Sequence, residues 1–189
     1  MVEKKPNFIV VGAMKAATTS LYTYLKQHPK IFMTKVKEPM FFNNFKQENK
    51  YKISGKKSKK PTTLKEYLAM FDDVKNEKAI GEASPAYIYN PQAPQLIKEH
   101  LSNVKIIAIL RQPTDRAYSN YLHTKRADRE DAATFQEAIE LENKRIKDHI
   151  LNPRMKMHNS KKIIEKEIPL FYISDDYVSK LETLPISNI

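Results

Sequence analysis

Cysteine is absent from all 189 residues, so neither a disulfide nor a thiolate metal site can be built, and a reducing compartment suits the chain. Its five histidines show no spacing suited to a metal, and no metal site is proposed. No apolar run is long enough to span a membrane, and the opening residues MVEKKPN lack the apolar core of a signal peptide. The expectation is a soluble, cytoplasmic protein. Glycine is nearly as scarce as cysteine, with 3 in the chain. Acidic side chains are almost missing from the first third, where residues 1–60 hold 14 lysines against 3 glutamates.

The rest of the chain balances 19 basic against 19 acidic residues, so the whole net charge of +11 comes from that first third. A nucleic-acid binder has this footprint, and so does an enzyme that draws in a polyanionic cofactor or acceptor. Much of the excess lies in Lys46 to Lys60, KQENKYKISGKKSKK, which reads as a solvated loop. A hydrophobic share of 41% suits one domain with a sizeable core, spanning residues 1–189. No internal repeat is visible.

The strongest local signal is Asn7 to Leu25, NFIVVGAMKAATTSLYTYL. Apolar Phe8 to Val11 run into Gly12, then Lys15, then Thr18, Thr19 and Ser20 at the head of an amphipathic segment. That order reads as buried strand, tight turn and helix N-terminus. Such a turn gathers backbone N–H groups, hydroxyls and a helix dipole at one point, with a lysine beside them; a phosphate is the fitting guest. The spelling differs from Walker A, and an ordinary connection with Thr and Ser as caps accounts for the same letters.

The first helix should stop near His28, ahead of a short apolar piece at Ile31 to Thr34. In Lys37-Glu38-Pro39-Met40-Phe41-Phe42, proline disfavours a helical Glu38 and favours an extended segment or turn. Glu38 reads either as a surface ion-pair partner or as a general base held against Met40, Phe41 and Phe42, with its pKa raised by desolvation. Thr62 to Phe71 has helical spacing with Thr62 or Thr63 as cap. Ala79 to Tyr89 reads as a strand running into a turn at Ser84-Pro85, from which Glu82 and Ser84 could reach a ligand. Pro91 and Pro94 bracket the start of a helix ending near His100.

Val104 to Leu110, VKIIAIL, has the unbroken β-branched character of a buried strand in a parallel sheet. Its end delivers Arg111, and a helix from Pro113 to about Ala127 carries Ser119. A strand leading through arginine into a polar helix can bring a guanidinium and a hydroxyl to the carboxyl edge of the sheet, where open α/β sheets bind ligands. Arginine fits a phosphate bidentately and keeps its charge, though a salt bridge to Asp115 explains it too. Thr134 to Ile150 is a further helix, with Thr134 as cap and Glu137 set for a capping box. Weaker signals follow at 161–167, 168–173 and 177–184. The fold expected is α/β, three-layered and P-loop-like, with a mainly parallel central sheet flanked by helices.

Lys15 with Thr18-Thr19-Ser20, Lys37-Glu38-Pro39, Gly81-Glu-Ala-Ser-Pro, and Arg111 with Ser119 occur in this order across residues 7–150. In that order the chain resembles the PAPS-dependent sulfotransferases, and most the carbohydrate branch with the heparan sulfate enzymes and their bacterial relatives. The resemblance implies an enzyme that moves the sulfuryl group of 3′-phosphoadenosine-5′-phosphosulfate (PAPS) to an acceptor hydroxyl, leaving PAP, without a metal. Gly12, Ala13, Met14, Lys15, Ala16, Ala17, Thr18, Thr19 and Ser20 would hold the 5′-phosphosulfate, and Arg111 and Ser119 the 3′-phosphate. Lys15 would also stabilise the leaving phosphate, and Glu38 would be the general base. Lys37 would contact the sulfuryl group or an acidic acceptor, with Glu82 and Ser84 as further substrate contacts. The implied partner is a hydroxyl-bearing acceptor, carbohydrate or anionic, rather than nucleic acid; the oligomeric state is not implied.

Ala16 and Ala17 stand where many relatives carry glycine, which restricts the loop's access to positive φ. Residues 151–189 do not match the family's further elements, as in a short or truncated member. Two other function classes compete. A P-loop kinase needs Ser or Thr directly after the lysine and an acidic strand end for Mg²⁺, and finds Ala16 and Arg111 instead. A basic, non-catalytic binder of nucleic acid or acidic glycan leaves Glu38, Arg111 and Ser119 unexplained, and a degenerate sulfotransferase that binds nucleotide without turnover stays open through the short C-terminus.

Overall fold

The computed structural model describes residues 4–45 and 60–151. Most of the lysine-rich stretch and the three weak segments after residue 160 lie outside them. Two compact units are described, residues 4–110 and residues 111–151.

The first unit holds a parallel sheet of β1 (Phe8–Gly12), β2 (Ile31–Met33), β3 (Ala79–Ala83) and β4 (Lys105–Ala108), in the order β2-β3-β1-β4. β1 is buried along its whole length and alternates between two cores, as a strand's two-residue period requires. Phe8 and Val10 face one side with Met33, Ala83 and Tyr22 of α1 (Thr18–Gln27). Ile9 and Val11 face the other with Phe41 and Phe42 of α2 (Phe41–Asn44), Tyr67 of α3 (Leu64–Ala69) and Ile97 of α4 (Ala93–His100). Helices on both faces of a parallel sheet make the expected three-layer α/β fold.

Local rules account for the element ends. Thr63 caps α3 in a full capping box with Glu66, and α1 stops at His28, ahead of Pro29. Asn7 ties two strand starts together, its Oδ1 accepting from Ile80 N and its Nδ2 donating to Lys78 O, each at 2.8 Å. The strand expected over Val104 to Leu110 is shorter and more open than its letters imply. β4 ends at Ala108 on the sheet's edge, with Ile106 and Ile107 half-buried and Leu110 69% exposed. β-Branched residues specify a strand, whereas its place in the sheet depends on what packs beside it.

The second unit, described by itself, has α5 (Pro113–Arg126) and α6 (Phe135–Leu151) packed through Ala117, Tyr121, Ala132 and Ala138. Proline opens α5, and the Gln112 side chain accepts from Asp115 N at 2.8 Å. Glu130 and Arg145 form a two-pronged ion pair at 2.6 and 2.9 Å that ties the loop to α6.

Candidate active site

The order of the strands sets the site. Chain connections leave β1 toward β3 and β2 on one side and toward β4 on the other, so the carboxyl end of β1 lies at the point where strand order reverses. Open parallel sheets bind ligands there. The turn after β1 is anchored by Ala13 N donating to Ile109 O at 2.7 Å and Ala16 N to Ala13 O at 3.2 Å. Lys15 and Ala17 both take φ 65°, so the alanine in place of glycine does not keep the loop from a left-handed backbone. Such a backbone costs an L-residue roughly 1–2 kcal/mol.

Ala17 is the N-cap of α1, and among the described residues no side chain caps that helix. Thr18, Thr19 and Ser20 are its first three residues, which removes the reading of these hydroxyls as ordinary caps. The first amides of a helix have no partner within it. Here they meet a turn that carries Lys15, half-buried, while Thr19 and Ser20 are exposed. The arrangement suits a phosphate.

The second turn stands beside it, at the carboxyl end of β3. Glu38 N donates to Ala83 O at 3.1 Å, and Ser84 N donates to Val10 O at 3.0 Å, which ties β3's exit to β1. Glu38 has φ 58° and Met40 φ 53°, a turn as Pro39 required. The Glu38 carboxylate is paired with the Lys37 ammonium, and its side chain is 38% exposed. The expected desolvation of Glu38 against Phe41 and Phe42 is corrected: both rings turn into the core, 0% and 1% exposed, beside Tyr67.

Desolvation falls instead on Glu82. It is fully buried, and burial pushes its carboxyl up to about 7. Hydrogen bonds from Tyr87, Ser84 and Tyr67 oppose that rise, and the charge of Glu38 adds to it. The Tyr87 and Tyr67 hydroxyls donate to Oε1 at 2.8 and 3.4 Å, and Ser84 Oγ donates to Oε2 at 2.8 Å. Ser84 is itself 0% exposed, so Glu82 and Ser84 both meet the protein's own groups. The two tyrosines escaped the sequence reading because an isolated tyrosine in a core segment carries no signal of what its hydroxyl holds.

The carboxyl edge of neighbouring strands thus brings together the Lys15 turn, Lys37, Glu38, Glu82 and Ser84. Arg111 and Ser119 lie in the second unit, Arg111 exposed ahead of α5 and Ser119 half-buried on it.

Comparison with known proteins shows the family. The sulfotransferase domain family matches residues 5–160. The chain belongs to the sulfotransferase domain family. It is 39% identical over 116 residues to the membrane-associated sulfotransferase kil1 of Dictyostelium discoideum, covering 61% of this chain and 22% of that protein. It is 30% identical over 122 residues to mouse heparan sulfate glucosamine 3-O-sulfotransferase 5, covering 64% of this chain and 31% of the other. Among solved structures, a sulfotransferase from Alicyclobacillus acidocaldarius superposes with a TM-score of 0.65 at 37% identity, over 77% of this chain and 60% of that one. The chain thus spans under a third of these two curated relatives and under two thirds of the solved structure. No helix among the described residues is long and apolar enough to cross a membrane.

Proposed function

We propose that this sulfotransferase-family chain moves a sulfuryl group from PAPS to a carbohydrate hydroxyl. The observation that carries the reading is the α1 N-terminus, with no side-chain cap and with Lys15 in its turn, beside a second turn that presents Lys37 and Glu38. In this reading residues 12–20 bind the 5′-phosphosulfate, and Arg111 and Ser119 bind the 3′-phosphate. Glu38 takes the proton of the acceptor hydroxyl as its oxygen bonds to sulfur. Lys15 and the first-turn amides neutralise charge on the phosphate oxygen that leaves, the larger share of such catalysis. Lys37 steers an anionic acceptor and keeps the Glu38 carboxylate oriented. The heparan sulfate activity named for the relatives supports the carbohydrate class.

Calorimetric titration with PAP against ADP, repeated on Arg111→Ala, tests the donor. Tight PAP binding that ADP does not match and that Arg111→Ala weakens is expected; equal affinity for the two nucleotides overturns the reading. Transfer from labelled PAPS to desulfated heparan sulfate tests the acceptor class, and a label that passes only to non-carbohydrate alcohols overturns that part.

A further inference from the structure

A chain of hydrogen bonds runs behind the Glu38 turn. Tyr87 Oη and Ser84 Oγ donate to the two oxygens of Glu82, and Met40 N donates to Ser84 Oγ at 3.0 Å. A buried carboxylate is a costly way to fill a core when an apolar side chain of similar size would do. Glu82 does something an apolar residue could not. In its ionised form the carboxylate only accepts, so the Ser84 hydroxyl then gives its proton to Glu82 and turns its lone pairs to the Met40 amide. That amide belongs to a residue at φ 53°, two positions after Glu38 at φ 58°, with Pro39 between them. Non-glycine residues keep such backbone angles only where surrounding contacts over-determine them.

We propose that Glu82 and Ser84 are positioning residues for the transfer: through the Met40 amide they hold the 38–40 turn in its left-handed form and so fix where the Glu38 carboxylate meets the acceptor hydroxyl. This rests on the reading of Glu38 as the proton acceptor and adds two residues that touch no substrate. Tyr67 from α3 and Tyr87 from the 3-10 turn Pro85–Tyr89 hold Glu82 from its other side.

Amide hydrogen exchange by NMR tests the holding without any substrate. In Ser84→Ala the amides of Met40 and Glu38 should exchange at least about tenfold faster, while Ile9 and Val10 in β1 keep their rates. An unchanged rate at Met40 overturns the proposal. Glu82→Gln, of equal size, guards against loss of the fold: its one carbonyl oxygen keeps the two tyrosine donors, so its amide nitrogen faces Ser84, that hydroxyl loses its acceptor, and Met40 exchange should again rise.

Turnover of PAPS with desulfated heparan sulfate tests the consequence. Ser84→Ala should lower kcat by about 10- to 100-fold, as small misplacements of a reacting group do, and leave PAP affinity unchanged. In a Glu38→Gln background the same substitution should cost nothing more; an equal loss in both backgrounds overturns the positioning role. Full kcat in Glu38→Gln alone defeats the general-base reading, and the positioning role with it, whereas failure at Met40 alone defeats only the inference drawn here.

Discussion

The two turns at the carboxyl edge share one backbone device and hold it in opposite ways. Lys15 and Ala17 in the first, and Glu38 and Met40 in the second, are non-glycine residues at positive φ, spaced by two. The second turn is braced from within by the Ser84 hydroxyl and by the Ala83 carbonyl. Ala13 and Ala16 anchor the first through main-chain bonds, and it leads into a helix that no side chain caps. In the proposed reading, the turn braced by the protein is set before substrate arrives and orients a base, while the helix start without a cap is completed by the phosphate it grips.

The sharpest way to break this contrast is Lys15→Ala. Removing the cation that the proposed reading sets against the leaving phosphate should cut kcat by about 10²–10³-fold and weaken PAP binding. Full kcat and PAP affinity in Lys15→Ala would remove the first turn from the reaction.

Stability against pH probes the brace of the second turn. Burial among Tyr67, Tyr87, Ser84 and Glu38 pushes the Glu82 carboxyl from the ordinary 4.5 up to about 7, so the native state binds more protons than the unfolded chain between those values. Stability should therefore fall as pH rises from about 4.5 to about 7 and stay lower above it, by on the order of 3 kcal/mol from this group. Chemical denaturation of Glu82→Gln across that window should show the slope removed; an identical slope would mean that Glu82 is not the group responsible.

Crowding within the two strands comes next. A Cβ on Gly81, in the middle of β3, would lie 2.3 Å from Phe8 Cζ, and one on Gly12, at the root of the first turn, 2.7 Å from Ile88 Cγ2. Both Gly→Ala variants should lose about 1–3 kcal/mol by denaturant melts, Gly81→Ala the more because an aromatic ring in a core cannot step aside. The smallest effect is expected at the cap of α1. Ala17→Gly should change stability by less than about 1 kcal/mol, since relief of the left-handed backbone is offset by the freedom glycine brings to the unfolded chain. Ala17→Val should be the less stable of the two, a difference that thermal melts of the pair would show.

Much of the architecture was legible because it rests on local rules. The run FIVV before Gly12, the Thr63 cap with Glu66, and Pro113 at the start of α5 each name an element by itself, and each element is found. β4 was read too deep, since VKIIAIL looks the same in the middle of a sheet as at its edge. At the candidate site Lys15, Lys37 and Glu38 could be chosen from their letters. The environment assigned to Glu38 belonged to Glu82, because Phe41 and Phe42 adjoin Glu38 in the chain but pack on Tyr67 in space.

By itself, then, the sequence determined the order of strands and helices, the turn that gathers amides around Lys15, and a carboxylate set beside a proline. Those follow from periodicity, capping and backbone sterics, which act within a few residues. Tertiary structure alone decided which carboxylate is desolvated, which residues bear the left-handed backbone, and that a serine 44 residues beyond Met40 holds its amide. These depend on what the fold brings into contact across the sheet, and no local pattern encodes a neighbour that far along the chain.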